Sequence, residues 1–67
     1  MPIINVTLVE GRDEQRVRDF IREVARVASA TLDAPMSSIR VMVTELPPQR
    51  FAVGDVLKSD NDNGAAR

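Results

Sequence analysis

The sequence predicts an α+β fold, a β-α-β unit closed by a short carboxy-terminal hairpin. Three observations lead there. An amino-terminal run rich in β-branched residues is followed by one apolar stripe at helical spacing, and then by a second run of alternating character. The connection between the two strands is long enough for them to lie parallel, and such crossovers are almost always right-handed. The whole chain has 67 residues, room for one small domain.

The first strand spans Pro2 to Val9, with Ile4, Val6 and Leu8 on one face and Ile3, Asn5, Thr7 and Val9 on the other. Glu10-Gly11-Arg12 is a turn. Asp13 then offers a helix N-cap and Glu14 places a negative charge at the positive end of the helix dipole. Val17, Phe20, Ile21, Val24 and Ala28 make the apolar stripe, and the charges between them read as a solvated face. The helix should stop near Leu32, because Pro35 disfavours helical geometry at Ala34.

In the second strand Ile39, Val41 and Val43 alternate with Arg40, Met42 and Thr44, and Pro47-Pro48 ends it. Phe51 to Val56 is extended with a bend at Gly54, the expected hairpin. We therefore expect a domain over residues 1–58 and a flexible polar tail over 59–67.

Composition narrows the function. Apolar residues make up 43% of the chain, which suits a globular fold. Cysteine and histidine are both absent, so disulfides are excluded and a metal site or redox chemistry is not expected. The net charge of −1 favours neither nucleic acid nor anionic lipid. No apolar run approaches the ~20 residues that cross a membrane, and no signal peptide is evident, so a soluble cytoplasmic protein is expected. One helix on two strands leaves bare sheet edges and apolar surface, and with no other staple at hand self-association is the expected route to stability.

Four positions bear on chemistry. If Met1 is removed, Pro2 carries the chain's free amine. An ordinary α-amino group titrates near pH 7.7–8.0, and burial beside cations would lower that value toward a usable general base. An efficiently processed start explains the Met-Pro pair equally well. Arg12 sits just ahead of a helix, where the dipole disfavours a cation; it is either a solvated loop residue or a fork for an anion. Arg40 interrupts a strand of aliphatics, as an outward-facing residue or as a donor to an oxygen that gains charge. Phe51 is a core aromatic or the wall of a small-molecule pocket.

Taken together these positions resemble the 4-oxalocrotonate tautomerase family. The resemblance starts at Met1-Pro2-Ile3-Ile4, continues through Leu8-Val9-Glu10-Gly11-Arg12-Asp13-Glu14-Gln15 and Ile21-Arg22-Glu23-Val24, and resumes at Leu32-Asp33-Ala34-Pro35, Val41, Thr44-Glu45 and Phe51-Ala52-Val53-Gly54. It implies a tautomerase-like β-α-β protomer assembled as a homohexamer, a trimer of dimers; a heterohexamer is the other arrangement it allows. It implies a cofactor-independent isomerase with Pro2 as base and Arg12 on the far carboxylate of a small dicarboxylate dienol. Arg40, from a neighbouring subunit, would meet the 2-oxygen and the adjacent carboxylate, and Leu8 and Phe51 would line the pocket. The implied reaction converts 2-hydroxymuconate to 2-oxo-3-hexenedioate in meta-cleavage degradation of aromatic compounds.

The chain departs from the family pattern at Pro47-Pro48-Gln49-Arg50, a stiff loop beside Phe51 that could reshape the pocket. Relatives that dehalogenate chloroacrylates carry a carboxylate two places after the position of Phe51 and an arginine at the place of Val9. This chain has Val53 and Val9, which argues against a hydrolytic dehalogenase. Two other readings stay open: a non-catalytic oligomeric module whose arginines are solvated, and the same fold acting on a different unsaturated acid.

Overall fold

The computed structural model describes residues 2–61. Strand β1 (Ile3–Val9) leads into helix α1 (Glu14–Leu32), and strand β2 (Arg40–Leu46) returns parallel to β1. Strands β3 (Ala52–Val53) and β4 (Val56–Leu57) form the antiparallel hairpin. Short 3₁₀ turns at Met36–Ser38, Pro48–Arg50 and Lys58–Asn61 join or follow these elements. The last of these lies in the stretch expected to be a flexible tail: Asp60 Oδ2 accepts the Leu57 N–H at 3.0 Å and folds the chain back. The rest of that expected tail, 62–67, lies outside the described residues.

The register pairs Ile3 with Arg40, Ile4 with Val41, Val6 with Val43 and Val9 with Leu46. Residues paired in register share a face. Ile4, Val6, Val41 and Val43 are half-buried under α1, while Ile3, Asn5, Thr7, Arg40, Met42 and Thr44 stand exposed on the open face. The ladder extends past each end, with Arg40 N–H donating to the Pro2 carbonyl at 3.0 Å and Glu10 N–H to the Leu46 carbonyl at 2.8 Å.

Asp13 takes the N-cap position, and its backbone carbonyl accepts from Arg16 and Val17. Its carboxylate, expected to cap the helix, makes no capping hydrogen bond. The side chain is exposed, so the first-turn N–H groups can bond to water. At the other end α1 stops at Leu32, as the sequence predicts, but the stop is sharper than Pro35 alone would make it. Asp33 turns left-handed at φ 57°, a conformation Asp tolerates better than most residues. Ala34 N–H then donates to the Ser29 carbonyl at 3.1 Å, and the Ser29 hydroxyl to the Ala34 carbonyl at 2.6 Å. This reciprocal pair, with Ser38 bonded to the Pro35 carbonyl, aims the chain back into β2.

The core is thin. Val17, Ala28 and Ile39 are its buried members. Phe20, expected in the stripe against the sheet, lies instead on its shoulder and stays part-exposed; the apolar arc of α1 is wider than two strands can cover. Beyond it, Val27 and Leu32 are 59% and 60% exposed, and together with Ile4 and Val24 they border an apolar groove of about 520 Å³. Ile3 and Met42 on the open face and Val53 and Val56 on the hairpin are exposed as well. The radius of gyration is 15.1 Å, against roughly 11 Å for a compact chain of this length. The accessible surface is 5030 Å², above the ~4200 Å² of a compact monomer of this mass. The protomer has the shape and surface of a subunit.

Candidate active site

The residues singled out by the sequence gather at opposite ends of the β1–β2 sheet. Pro2 and Arg40 are at the amino-terminal end of the strands, joined through the Arg40 N–H and the Pro2 carbonyl. Leu8, Arg12 and Phe51 are at the other end, on the wall of one open concavity of about 570 Å³. The six steps from Ile3 to Val9 separate these ends by about 20 Å at ~3.3 Å per residue. A protomer therefore brings neither Pro2 nor Arg40 to Arg12.

At the Pro2 end the two side chains leave opposite faces. The register puts Arg40 opposite Ile3 on the open face, and one step back Pro2 falls on the face of Ile4, under the helix. The Arg40 guanidinium folds back along the open face, donating from Nη1 to the Ser37 carbonyl at 2.9 Å and more loosely to that of Ile39 at 3.5 Å. Its backbone anchors Pro2 while its charge points elsewhere.

The Arg12 end is built by a glycine turn and a hairpin. Gly11 has φ +134°, and a Cβ there would meet nothing within 4 Å, so backbone conformation rather than space requires glycine. The turn carries Arg12 over the end of β1, where Nη1 donates to the Val9 carbonyl at 3.2 Å. On the opposite wall, the Pro48–Arg50 turn passes Phe51 N–H to the Pro48 carbonyl at 3.3 Å. The β3–β4 hairpin, with positive φ at Gly54 alone of its two loop residues as in a II′ turn, brings Lys58 back so that its N–H donates to the Phe51 carbonyl at 2.8 Å. The stiff Pro47-Pro48 loop thus sets the position of Phe51.

The charges divide in the same way. On the surface of α1, Arg18, Arg22 and Arg26 each pair with a carboxylate of their own helix, Glu14, Asp19 and Glu23. Among the described residues, Arg12 and Arg40 have no carboxylate within 4.0 Å, a state they share with Arg16 and Arg50. Each spends one guanidinium nitrogen on backbone carbonyls, which orients the fork and leaves other donors open to an anion. Glu10 and Lys58 also line the Leu8–Arg12–Phe51 concavity. Sequence reading placed Lys58 at the edge of a frayed tail; the hairpin pairing that returns it to Phe51 was the signal needed.

A parallel β-α-β unit with a carboxy-terminal hairpin is shared with solved structures of small tautomerases. TomN, a 4-oxalocrotonate tautomerase homologue in the tomaymycin biosynthetic pathway, superposes with a TM-score of 0.87 at 36% identity, covering 94% of this chain and 97% of that one. A heterohexamer 4-oxalocrotonate tautomerase from Chloroflexus aurantiacus J-10-fl gives 0.84 at 27% identity, covering 90% and 97%. In sequence, the 2-hydroxymuconate tautomerase of Stutzerimonas stutzeri is 43% identical over 54 residues, 81% of this chain and 86% of that protein. The family profile described as tautomerase enzyme matches residues 2–61. The chain belongs to the tautomerase family, and it is a cofactor-independent isomerase.

Proposed function

We propose that the protein ketonises 2-hydroxymuconate to 2-oxo-3-hexenedioate, with Pro2 as general base once Met1 has been removed. The observation that carries this reading is the pair of half-sites, each with an oriented arginine that no carboxylate neutralises among the described residues. A dianionic substrate supplies the two missing carboxylates. The similarity to 2-hydroxymuconate tautomerases at about 40% identity supports the same choice.

The halves meet only if subunits associate. A neighbouring protomer presents its Leu8–Arg12–Phe51 end to the Pro2 end of another, and Arg40 approaches from a chain other than the one that supplies Pro2. The exposed apolar surface on α1, on the open sheet face and on the hairpin supplies the adhesion. A homohexamer built as a trimer of dimers satisfies this arrangement; the heterohexamer from Chloroflexus aurantiacus is its mixed counterpart.

In the assembled site the Pro2 nitrogen, uncharged, takes the proton of the 2-hydroxyl. The C2–O bond becomes a carbonyl, the double bonds shift along the chain, and the same proton is delivered to C5. Atoms and electrons balance without a redox partner. Arg40 stabilises the oxygen and its adjacent carboxylate as charge moves through them. Arg12 holds the far carboxylate so that C5 lies over the proline ring. The two cations and the apolar wall of Phe51 and Leu8 raise the cost of protonating Pro2, which keeps its amine pKa below that of an ordinary terminus.

The test is to mix Met1-processed protein with 2-hydroxymuconate and follow the loss of dienol absorbance. Ketonisation no faster than in buffer overturns the reading. A second reading, the same proton transfer on another unsaturated acid, is favoured by the Pro48–Arg50 turn that sets Phe51 and by the likeness to TomN. It predicts turnover of such an acid with little ketonisation of 2-hydroxymuconate.

A further inference from the structure

The concavity at the Arg12 end holds two cations. Lys58 lines it together with Arg12, Leu8, Phe51, Glu10 and Gly11. Its place on that wall is held by backbone: Lys58 N–H bonds the Phe51 carbonyl at 2.8 Å, and the preceding Leu57 N–H is held by Asp60 Oδ2 at 3.0 Å. So the stem of Lys58 is tied to the same aromatic wall that faces Arg12. Among the described residues neither cation has a carboxylate within 4.0 Å, including that of Glu10 on the same wall. Two unpaired cations of different shape, one a rigid fork and one a mobile point charge, on one small concavity offer the donors that a single carboxylate would need.

We propose that Lys58 is a second carboxylate-holding residue, which with Arg12 fixes the far carboxylate of the substrate and sets the preference for diacids over monoacids. The inference rests on the 2-hydroxymuconate reading above and deepens it. The bond-making steps remain with Pro2; Lys58 acts on affinity and on the choice of substrate.

The experiment compares the parent protein with Lys58→Met, Lys58→Gln and Lys58→Arg on two dienols. One is 2-hydroxymuconate; the other is 2-hydroxy-2,4-pentadienoate, which lacks the far carboxylate. Loss of one charge-assisted contact corresponds to a roughly tenfold rise in KM for the diacid. Lys58→Met and Lys58→Gln should both show this rise with kcat nearly unchanged and no effect on the monoacid, and Lys58→Arg should restore the parent KM. An unchanged KM for the diacid, or equal losses on both substrates, overturns the proposal. Calorimetric titration with adipate and with hexanoate separates this inference from the 2-hydroxymuconate reading. If the parent fails to turn over 2-hydroxymuconate, that substrate reading falls, and a Lys58-dependent preference for adipate still upholds the role of Lys58. Equal adipate affinity in the parent and Lys58→Met overturns it.

Discussion

The two ends of the β1–β2 sheet are made by different means. At the amino-terminal end, Pro2 and Arg40 are held by the strand ladder itself, through the bond from Arg40 N–H to the Pro2 carbonyl. At the other end, Leu8, Arg12 and Phe51 are brought together by non-repetitive backbone: the positive φ of Gly11, the Pro48–Arg50 turn and the β3–β4 hairpin. The first end suits a small group whose position must not vary. In the proposed function the second is an adjustable receptor, where a change of loop alters which acid is held without disturbing the base. Under that reading specificity can diverge at one end while the proton chemistry stays at the other.

The largest effect should come from keeping the two ends of neighbouring chains apart. Val27→Glu combined with Leu32→Glu places charge on the exposed apolar face of α1. We expect the assembly to dissociate by analytical ultracentrifugation and isomerase activity to fall to background, although every proposed site residue is still present. Full activity in a monomer would break the comparison outright.

Next in size is removal of the base. Pro2→Ala, or retention of Met1, should lower kcat/KM by about 10²–10⁴, the usual contribution of a general base. Arg12→Ala should cost roughly 10–100-fold, the worth of a hydrogen bond to a charged group. Co-refolding these two impaired proteins sharpens the picture. If Pro2 and Arg12 of one site come from different chains, random mixing rebuilds roughly a quarter of the sites. If both came from one chain, the mixture would show no gain over the mean of its two components.

Smaller effects probe the loop end alone. Gly11→Ala meets no steric obstacle but must adopt φ +134°, and such strain costs about 1–3 kcal/mol. Urea unfolding should show that loss, with KM rising more than kcat falls, because Arg12 shifts while Pro2 does not. The smallest change is expected from Arg26→Ala, which breaks an exposed pair with Glu23 and should move stability by less than about 0.5 kcal/mol. A larger shift there would mean that the helix surface is covered in the assembly.

The strands, the helix and its limits were legible in the sequence, because alternation and helical spacing report directly which residues must leave water. Phe20 shows where that reading ends: its spacing puts it on the apolar stripe, but only the width of the sheet decides that it sits at the margin. The left-handed turn at Asp33 was masked by the neighbouring proline, which predicts the same stop. Lys58 stood at the border of the expected tail, because its pairing with Phe51 closes a hairpin of two-residue strands, too short for any periodicity to reveal.

By itself the sequence determined the element order, the face on which each strand residue stands and the identity of the groups able to carry charge. These follow from local backbone preference and from the pattern of apolar side chains. The tertiary structure decided the distance between those groups. A parallel register places Pro2 beside Arg40 and about 20 Å from Arg12, and separation across a fold arises from hydrogen-bonded pairing between segments far apart in the chain, which no single segment encodes.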